Sequence, residues 1–340
     1  MGKNQFESIR GDGGQRITLN KPRPHPIGTQ QQITTIMNNT DIETGSLPGK
    51  TSRRQALKSL GLGALGAAAV GMGMGTAKAV NYSPPGDFPD FDLLDFALNL
   101  EYLEANFYSY ATTGVGIEAH GVNVTGRGKK GTVTAPATPR VTFSNPDVAA
   151  YAAEITADEI AHVQFLREAF AASGRQPVAQ PSIDLVGSFS AAASAAGLGS
   201  GFSPFTSSAN DLDFLLGAFI FEDVGVTAYH GGIAGSMDKA TLIAAGGIMG
   251  TEAYHAANVR TEIFKIGGGA ISAAQAISNA RNALGGEGLD QGIETNGTSS
   301  IVPSDPNALV FARTARLVLN IVYLGINASK GGFFPDGINA

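Results

Sequence analysis

The chain has 340 residues, of which 43% are hydrophobic, and it contains neither cysteine nor tryptophan. This composition supports a large buried core. It excludes disulfides, thiolate metal sites, iron–sulfur clusters and cysteine nucleophiles, so any metal must be held by oxygen and imidazole ligands. Residues 1–79 carry ten Lys or Arg and four Asp or Glu, whereas residues 80–340 carry thirteen and twenty-five. A net charge of −12 on the second part argues against binding to nucleic acid or to an anionic membrane surface.

The basic N-terminal part is predicted to be a targeting segment rather than part of the folded domain. Residues 1–50 are polar and aperiodic, and we expect a disordered leader there. Residues 51–79 read TSRRQALKSLGLGALGAAAVGMGMGTAKA, in which an Arg pair precedes a mildly apolar run rich in Gly and Ala. The run ends in Ala77-Lys78-Ala79, which are small residues of the kind found at signal-peptidase cleavage sites.

The motif around Arg53 and Arg54 resembles the bacterial twin-arginine export signal, although Ala56 stands where that family usually has Phe. The resemblance implies export to the periplasm or another extracytoplasmic compartment, with a membrane contact only through residues 51–79. The alternative is a membrane-anchoring helix that is never cleaved. Met37 is an alternative start to Met1 and would leave a signal of ordinary length.

Four later segments repeat apolar residues at i, i+3, i+4 and i+7, which predicts helices with one apolar face. They cover about 90–113, 146–173, 209–234 and 237–266. Asn145 is a predicted N-cap for the second helix, with Pro146 at its first position and Gly174 just beyond its end. The stretch between the first two helices, rich in Gly, Thr and Val, predicts a loop or a short β-hairpin.

The remaining segments complete an all-α prediction. Residues 175–208 form a long connection between the second and third helices, and a short helix is expected at 270–284. A further helix is expected through ALVFARTARLVLNIVYLG, followed by a turn-like tail, GGFFPDGIN. The predicted architecture is a four-helix bundle over 80–268, with a C-terminal extension over 269–340 that packs on it.

An internal repeat relates the two halves of this bundle. ALNLEYLEANFY at 97–108 aligns with AFIFEDVGVTAY at 218–229, and EIAH at 159–162 is answered by EAYH at 252–255. The aligned polar residues are Glu101 and Tyr108, Glu222 and Tyr229, Glu159 and His162, and Glu252 and His255. Each lies on an apolar stripe, and the i, i+3 spacing places each Glu beside its His on one helix face.

Buried carboxylates of this kind predict a metal site. An unpaired buried carboxylate costs several kcal/mol, so four of them in one core need cations. Two divalent cations would balance the four charges, and two imidazoles would complete the shell. The predicted metal ligands are Glu101, Glu159, His162, Glu222, Glu252 and His255. The alternative is a bundle that has kept the pattern without binding metal.

Three further polar residues have two interpretations each. Tyr108 and Tyr229 are candidate catalytic residues that hydrogen-bond the ligand carboxylates, or they are ordinary core residues. Glu104, one turn from Glu101, is an alternative bridging ligand or a residue at the rim of the site. Arg167 and Arg260, two turns beyond the ligand carboxylates, are predicted to form salt bridges at the end of the bundle.

With these residues the chain resembles the ferritin-like superfamily, whose bundles also have a long crossover between helices 2 and 3. More closely, it resembles the desiccation-related protein family, which shares the C-terminal pattern FARTARLVLNIVYLG followed by SKGGFFPDGIN. The resemblance implies a carboxylate-bridged metal pair on the six residues above, and a setting of stress or dehydration.

The expected function is redox chemistry at two Fe ions, with Mn as the alternative, acting on O2 or peroxide in stress protection. Ferroxidase or peroxidase activity and a di-manganese, catalase-like dismutation of peroxide are the enzymatic possibilities. The rival is a structural stress protein with a vestigial site. A homo-oligomer is compatible with the sequence, and a storage cage is disfavoured because the insertion and the C-terminal extension would have to fit into a packed shell.

Overall fold

The computed structural model describes residues 90–234 and 239–340. Within these ranges lie seven α-helices and four two-residue strands. The helices are α1 (Asp90–Thr113), α2 (Pro146–Ala172), α3 (Gly187–Ala195), α4 (Leu212–Ile233), α5 (Lys239–Ile266), α6 (Gly269–Gly285) and α7 (Ala315–Val322). The strands are β1 (Val133–Thr134), β2 (Ile183–Asp184), β3 (Glu294–Thr295) and β4 (Thr298–Ser299). The all-α, ferritin-like prediction is confirmed, and all four bundle helices lie within a few residues of their predicted limits.

The bundle consists of α1, α2, α4 and α5. Helix α1 packs along α2 and α4 packs along α5, while the contacts of α1 with α4 and of α2 with α5 join the two pairs. The two pairs are the two halves of the sequence repeat. Each half therefore supplies one helix with Glu-x6-Tyr and one with Glu-x-x-His, and all four helices line the same interior.

Local sequence explains where α2 and α4 begin. The side chain of Asn145 accepts a hydrogen bond from the Asp147 backbone N–H, as expected for an N-cap. Buried Asp211, just before α4, accepts hydrogen bonds from the backbone N–H groups of Ser144 and Asn145, at 2.7 and 2.8 Å. One carboxylate thus ties the start of α2 to the start of α4, which fixes how far the helices slide along each other.

The sequence predicted one apolar face for every bundle helix, but α1 and α4 are buried almost all round. The long crossover and the C-terminal extension supply the extra cover. Phe107 of α1 and Phe221 of α4 pack against Phe189 of α3, and Phe333 of the tail contacts both Phe189 and Phe221. The tail is turn-like as predicted, and it also completes the core.

Of the two predictions for the segment between α1 and α2, the loop is the one observed. Its strand β1 pairs in parallel with β2 of the crossover, so no hairpin forms within this segment. A hairpin does occur in the C-terminal extension, where β3 pairs antiparallel with β4. Its turn is Asn296-Gly297, and both residues have positive φ, which Asn-Gly tolerates better than other pairs.

The last predicted helix is shorter than expected, because only Ala315–Val322 is helical. Two contacts explain its late start. The Thr314 side chain caps α7 by accepting a hydrogen bond from the Leu317 backbone N–H. The backbone N–H of Arg313 donates to the Thr227 carbonyl of α4, which holds the chain against the bundle in an extended form.

The predicted leader, export signal and start sites fall on residues 1–89, outside the described ranges, and they remain predictions. Within the described ranges, no helix combines the length and hydropathy needed to cross a membrane.

Candidate metal centre

The structure brings all six predicted ligands together in the interior of the bundle. Glu101 comes from α1, Glu159 and His162 from α2, Glu222 from α4, and Glu252 and His255 from α5. All six are buried, and the most accessible of them, His162, is 8% exposed. The motifs of the two sequence repeats, although far apart in the chain, therefore contribute to one shared site rather than to two separate helix surfaces.

These six side chains form two overlapping groups of four. The first group contains Glu101, Glu159, His162 and Glu252, and the second contains Glu159, Glu222, Glu252 and His255. Within each group, one ligand atom per residue lies within 4.8 Å of the others. Opposite ligands of one transition-metal ion are about 4 Å apart, so each group needs only a small contraction to hold one ion. Glu159 and Glu252 belong to both groups.

The polar atoms of the cluster are arranged in a way that suits bound cations. Eight of its side-chain N and O atoms are buried without a hydrogen-bond partner among the described residues. They include both oxygens of Glu159, both oxygens of Glu252 and the Nδ1 atoms of the two imidazoles. His162 Nδ1 lies 3.2 Å from Glu101 Oε2, and His255 Nδ1 lies 3.1 Å from Glu159 Oε1. Buried polar atoms without partners are rare in folded proteins, and here all eight belong to metal-ligating residue types.

The two tyrosines occupy equivalent positions across the repeat. The Tyr108 hydroxyl of α1 donates to Glu222 Oε1 of α4, and the Tyr229 hydroxyl of α4 donates to Glu101 Oε1 of α1. Each phenol thus binds one carboxylate oxygen and leaves the other, Oε2, facing the cluster. Of the two interpretations of these residues, the structure selects hydrogen bonding to the ligand carboxylates, which fixes the orientation of Glu101 and Glu222.

Without metal, the cluster retains protons. Burial raises the pKa of Glu101 to about 7, and burial together with Glu159 raises the pKa of Glu252 well above its usual range. Burial alone would also raise the pKa of Glu159, but interactions with His162 and His255 lower it to about 2. Although burial opposes its charging, Glu101 and Glu159 raise the pKa of His162 to about 12. Metal binding at this site must therefore release protons.

Asp158 is a functional candidate that the sequence reasoning missed. Its Oδ2 lies 3.2 Å from Nε2 of His255, the ring nitrogen that faces away from the cluster. A carboxylate in this place favours the proton on Nε2 and leaves Nδ1 free for a metal. In the sequence, Asp158 directly precedes the Glu-x-x-His motif of α2. Only the packing of α2 against α5 shows that Asp158 contacts the His of the other motif, His255.

We expect Asp158→Asn to weaken metal binding by about 10- to 100-fold, because the charged partner that orients His255 is lost. Isothermal titration with Mn(II) would measure this. Glu154→Gln, which neutralises an exposed acid on the same helix, is the matched control. Equal affinities for Asp158→Asn and the control would show that Asp158 is only a surface residue.

Gly225 is a second residue that the sequence reasoning missed. A Cβ at this position of α4 would lie closer than 3 Å to Glu252 Oε2 of α5. The absence of a side chain thus lets a shared carboxylate lie against the backbone of the neighbouring helix. The sequence showed only a glycine inside a helix, which costs about 1 kcal/mol relative to Ala and requires a packing reason.

We expect Gly225→Ala to lose at least one bound metal ion, because the new methyl group displaces the Glu252 carboxylate. Gly247→Ala is the control, since a Cβ at Gly247 in α5 meets nothing within 4 Å. The control should keep its metal and gain up to about 1 kcal/mol of stability from helix propensity. Metal-to-protein ratios after gel filtration test the pair, and a fully loaded Gly225→Ala would refute the packing argument.

Arg167 and Arg260 were both predicted to form salt bridges, and only Arg260 forms one within the described residues. Arg260 is fully buried and donates to Asp223 Oδ2 at 2.7 Å. Arg167, in the equivalent position of α2, donates to the Tyr102 hydroxyl and has no acidic partner within the described residues. Tyr102 and Asp223 each follow the Glu of their own helix, so both arginines brace a helix next to a ligand.

Buried ion pairs continue from Asp223 into the C-terminal extension. Arg281 of α6 donates to Asp223 at 2.7 Å and to Asp290 at 2.8 Å, and Arg313 donates to the second oxygen of Asp290 at 2.8 Å. Breaking such a pair from one side leaves a buried charge and is strongly destabilising. The extension is thus bound to α4 by charge as well as by its aromatic residues.

The remaining histidines of the described chain do not join the cluster. His230 is half-buried, and its Nδ1 lies 2.9 Å from the Val310 carbonyl of the C-terminal extension. His120 is exposed and lies 3.3 Å from the Thr113 hydroxyl.

A four-helix bundle with a long crossover, four interior Glu and two interior His defines the class of ferritin-like carboxylate proteins with a potential metal-binding site. Comparison of the sequence with known protein families agrees with the structure. Residues 89–265 match the ferritin-like domain family, and the chain belongs to that family.

Two curated relatives are similar over most of their length. The desiccation-related protein PCC13-62 of Craterostigma plantagineum is 26% identical over 269 residues, which cover 72% of this chain and 82% of the relative. The ferritin-like catalase Nec2 of Nesocodon mauritianus is 24% identical over 274 residues, which cover 74% of this chain and 84% of the relative. No solved structure matches the chain at a comparable level of significance.

Proposed function

We propose that the chain binds two transition-metal ions, iron or alternatively manganese, and uses them to consume peroxide. The observation that carries this proposal is the position of Glu159 and Glu252 in both ligand groups. Shared carboxylates suit a pair of adjacent ions rather than two separate sites. Such a pair, when bound, supplies the capacity to exchange two electrons with a small oxidant.

The side chains around the pair have defined tasks. Tyr108 and Tyr229 hold Glu222 and Glu101 by their outer oxygens, and Asp158 orients His255. The aromatic core and the near-complete burial of the ligands keep bulk water and large molecules away. A reactant that reaches this site must be small, as peroxide and O2 are. The relative named as a ferritin-like catalase supports the peroxide proposal.

Oxygen release from peroxide is the direct test. The metal-free protein would be loaded anaerobically with Mn(II) or with Fe(II), and then given hydrogen peroxide in an oxygen electrode. We expect one loaded form to release one O2 for every two peroxide molecules, and the metal-free protein to release none. If neither form releases O2, the peroxide proposal is wrong.

Oxidation of Fe(II) by O2 is the second candidate, because the site has the ligand set of ferritin-like di-iron carboxylate proteins. The same electrode distinguishes it, since the Fe(II)-loaded protein would then take up O2 without added peroxide. Inactivity in both assays would favour the structural role, which suits a chain similar to a desiccation-related protein.

We further propose that the protein is exported by the twin-arginine route and acts in stress protection. The basis is the motif around Arg53 and Arg54, together with the acidic composition of residues 80–340. Cell fractionation of the full chain and of Arg53→Lys with Arg54→Lys would test the route. Export that is unchanged in this variant would contradict it.

A further inference from the structure

The buried ion pairs that join α4 to the C-terminal extension carry an unbalanced charge. Three guanidinium groups, those of Arg260, Arg281 and Arg313, share two carboxylates, those of Asp223 and Asp290. All five side chains are buried. A buried charge without a counter-charge is costly, so this network favours the binding of one further negative charge.

Arg281 is the member of the network with a free donor. Its two terminal nitrogens are occupied, because one donates to the Phe219 carbonyl and the other donates to the carboxylates of Asp223 and Asp290. The guanidinium carbon lies 4.3 Å from the centre of the Phe219 ring, and this contact fixes the plane of the group. By contrast, Nε of Arg281 is buried and has no hydrogen-bond partner within the described residues. A buried donor without an acceptor is rare and requires an explanation.

An apolar cavity adjoins this arginine. The cavity has a volume of about 30 Å³ and lies between α3, α4, α6 and α7, and Arg281 is the one charged residue that lines it within the described part of the chain. The other walls are alanines of α3 and α6 together with Ile220, Ile277, Leu284 and Ile321. None of the lining residues belongs to the metal centre.

The properties of the cavity restrict what can occupy it. A single water molecule needs only about 10–15 Å³, but it also needs two to four polar partners, and these walls are almost wholly apolar. A phosphate or sulfate group carries more oxygen atoms than one free donor can satisfy. The occupant that fits is a small molecule with one negative charge, one acceptor for the Nε–H group and an apolar body.

We propose that this cavity binds a short-chain monocarboxylate. One carboxylate oxygen accepts a hydrogen bond from Nε–H of Arg281, and the alkyl part packs against the alanine, isoleucine and leucine side chains. The ligand enters beside Ala195, the exposed residue of the lining. The inference goes beyond the proposed function and does not depend on it, because it requires neither bound metal nor peroxide.

Binding of propionate to the full-length protein is the test, measured by isothermal titration and by thermal unfolding. Propionamide, which has nearly the same shape without the charge, and chloride, at the same ionic strength, are the comparison ligands. We expect one propionate to bind per chain and to raise the melting temperature, because a ligand that binds only the folded state stabilises it. Propionamide and chloride should do neither.

Two variants place the binding in this cavity. Arg281→Lys keeps a positive charge but removes the Nε donor, and Ala280→Val narrows the cavity while leaving every ion pair in place. We expect each of them to weaken propionate binding at least tenfold. Ala283→Val is the matched control, because Ala283 is exposed on the same helix and does not line the cavity. Its affinity for propionate should equal that of wild type.

The proposal fails if propionate does not bind to wild type. Equal binding of propionamide would show that only the apolar walls matter, and equal binding of chloride would show a general anion effect; either result would overturn it. An unchanged affinity in Ala280→Val would place the binding elsewhere and would also overturn it. If Arg281→Lys does not fold, Ala280→Val and its control still decide, since neither alters the ion pairs.

Discussion

Replacing both shared carboxylates, Glu159→Gln with Glu252→Gln, is expected to reduce metal binding from two ions to none and to abolish peroxide consumption. Both ligand groups contain both residues, so each ion loses two charged ligands at once. The helices should remain, because Gln has nearly the same volume as Glu. We also expect the metal-free variant to be less stable than the metal-free wild type, because the imidazoles of His162 and His255 lose Glu159, the buried carboxylate that lies near both of them.

Metal analysis, oxygen release and thermal unfolding measure these three effects on one preparation. The matched control is Glu154→Gln with Glu168→Gln, which neutralises two exposed residues of α2. A double variant at Glu159 and Glu252 that kept two metals would contradict the assignment of the bridges. A variant that lost its metals but kept its biological effect would favour the structural stress protein.

The metal-free protein is expected to lose stability as the pH rises from 4.5 to 7. Burial raises the pKa of Glu101 from 4.5 to about 7, so in this window the folded state binds a proton that the unfolded state has released. Stability falls with pH wherever the folded state binds more protons. At about 1.4 kcal/mol per pKa unit, Glu101 alone accounts for roughly 3 kcal/mol.

His162 changes stability in the same direction at higher pH. Its pKa is raised to about 12, so its contribution is complete below pH 6.5 and declines above it. Bound metal ions remove both effects, because they replace the protons. The difference in melting temperature between loaded and metal-free protein should therefore widen from pH 5 to pH 7, measured by calorimetry with and without a chelator. A difference in melting temperature that stays the same from pH 5 to pH 7 would show that the Glu101 carboxyl group is already ionised in the metal-free protein.

The bundle and the convergence of the six candidate ligands could be predicted from the sequence, because both depend on regular patterns of residues. Helical periodicity sets the helices, and the repeat of Glu-x6-Tyr and Glu-x-x-His sets which faces meet. Asn145 could be recognised as an N-cap for the same reason, since capping depends on neighbours in the chain.

The features that the sequence did not predict depend on contacts between distant segments. Asp158 serves a histidine 97 positions away, and Gly225 makes room for a carboxylate on another helix. The late start of α7 follows from the contact of Arg313 with Thr227 across the bundle. None of these contacts can be recognised from neighbouring residues in the sequence. From the sequence alone, Asp158 resembles a surface acid, Gly225 a weak position in a helix, and Arg313 part of a helix.

The metal content of the purified, untagged protein, measured by inductively coupled plasma mass spectrometry, tests the central claim most directly. The account predicts about two Fe or Mn per chain, and the identity of the metal determines which oxidant to examine first. A chain that stays empty after anaerobic loading with Fe(II) and with Mn(II) would contradict it, and the bundle would then be a ferritin-shaped structural protein.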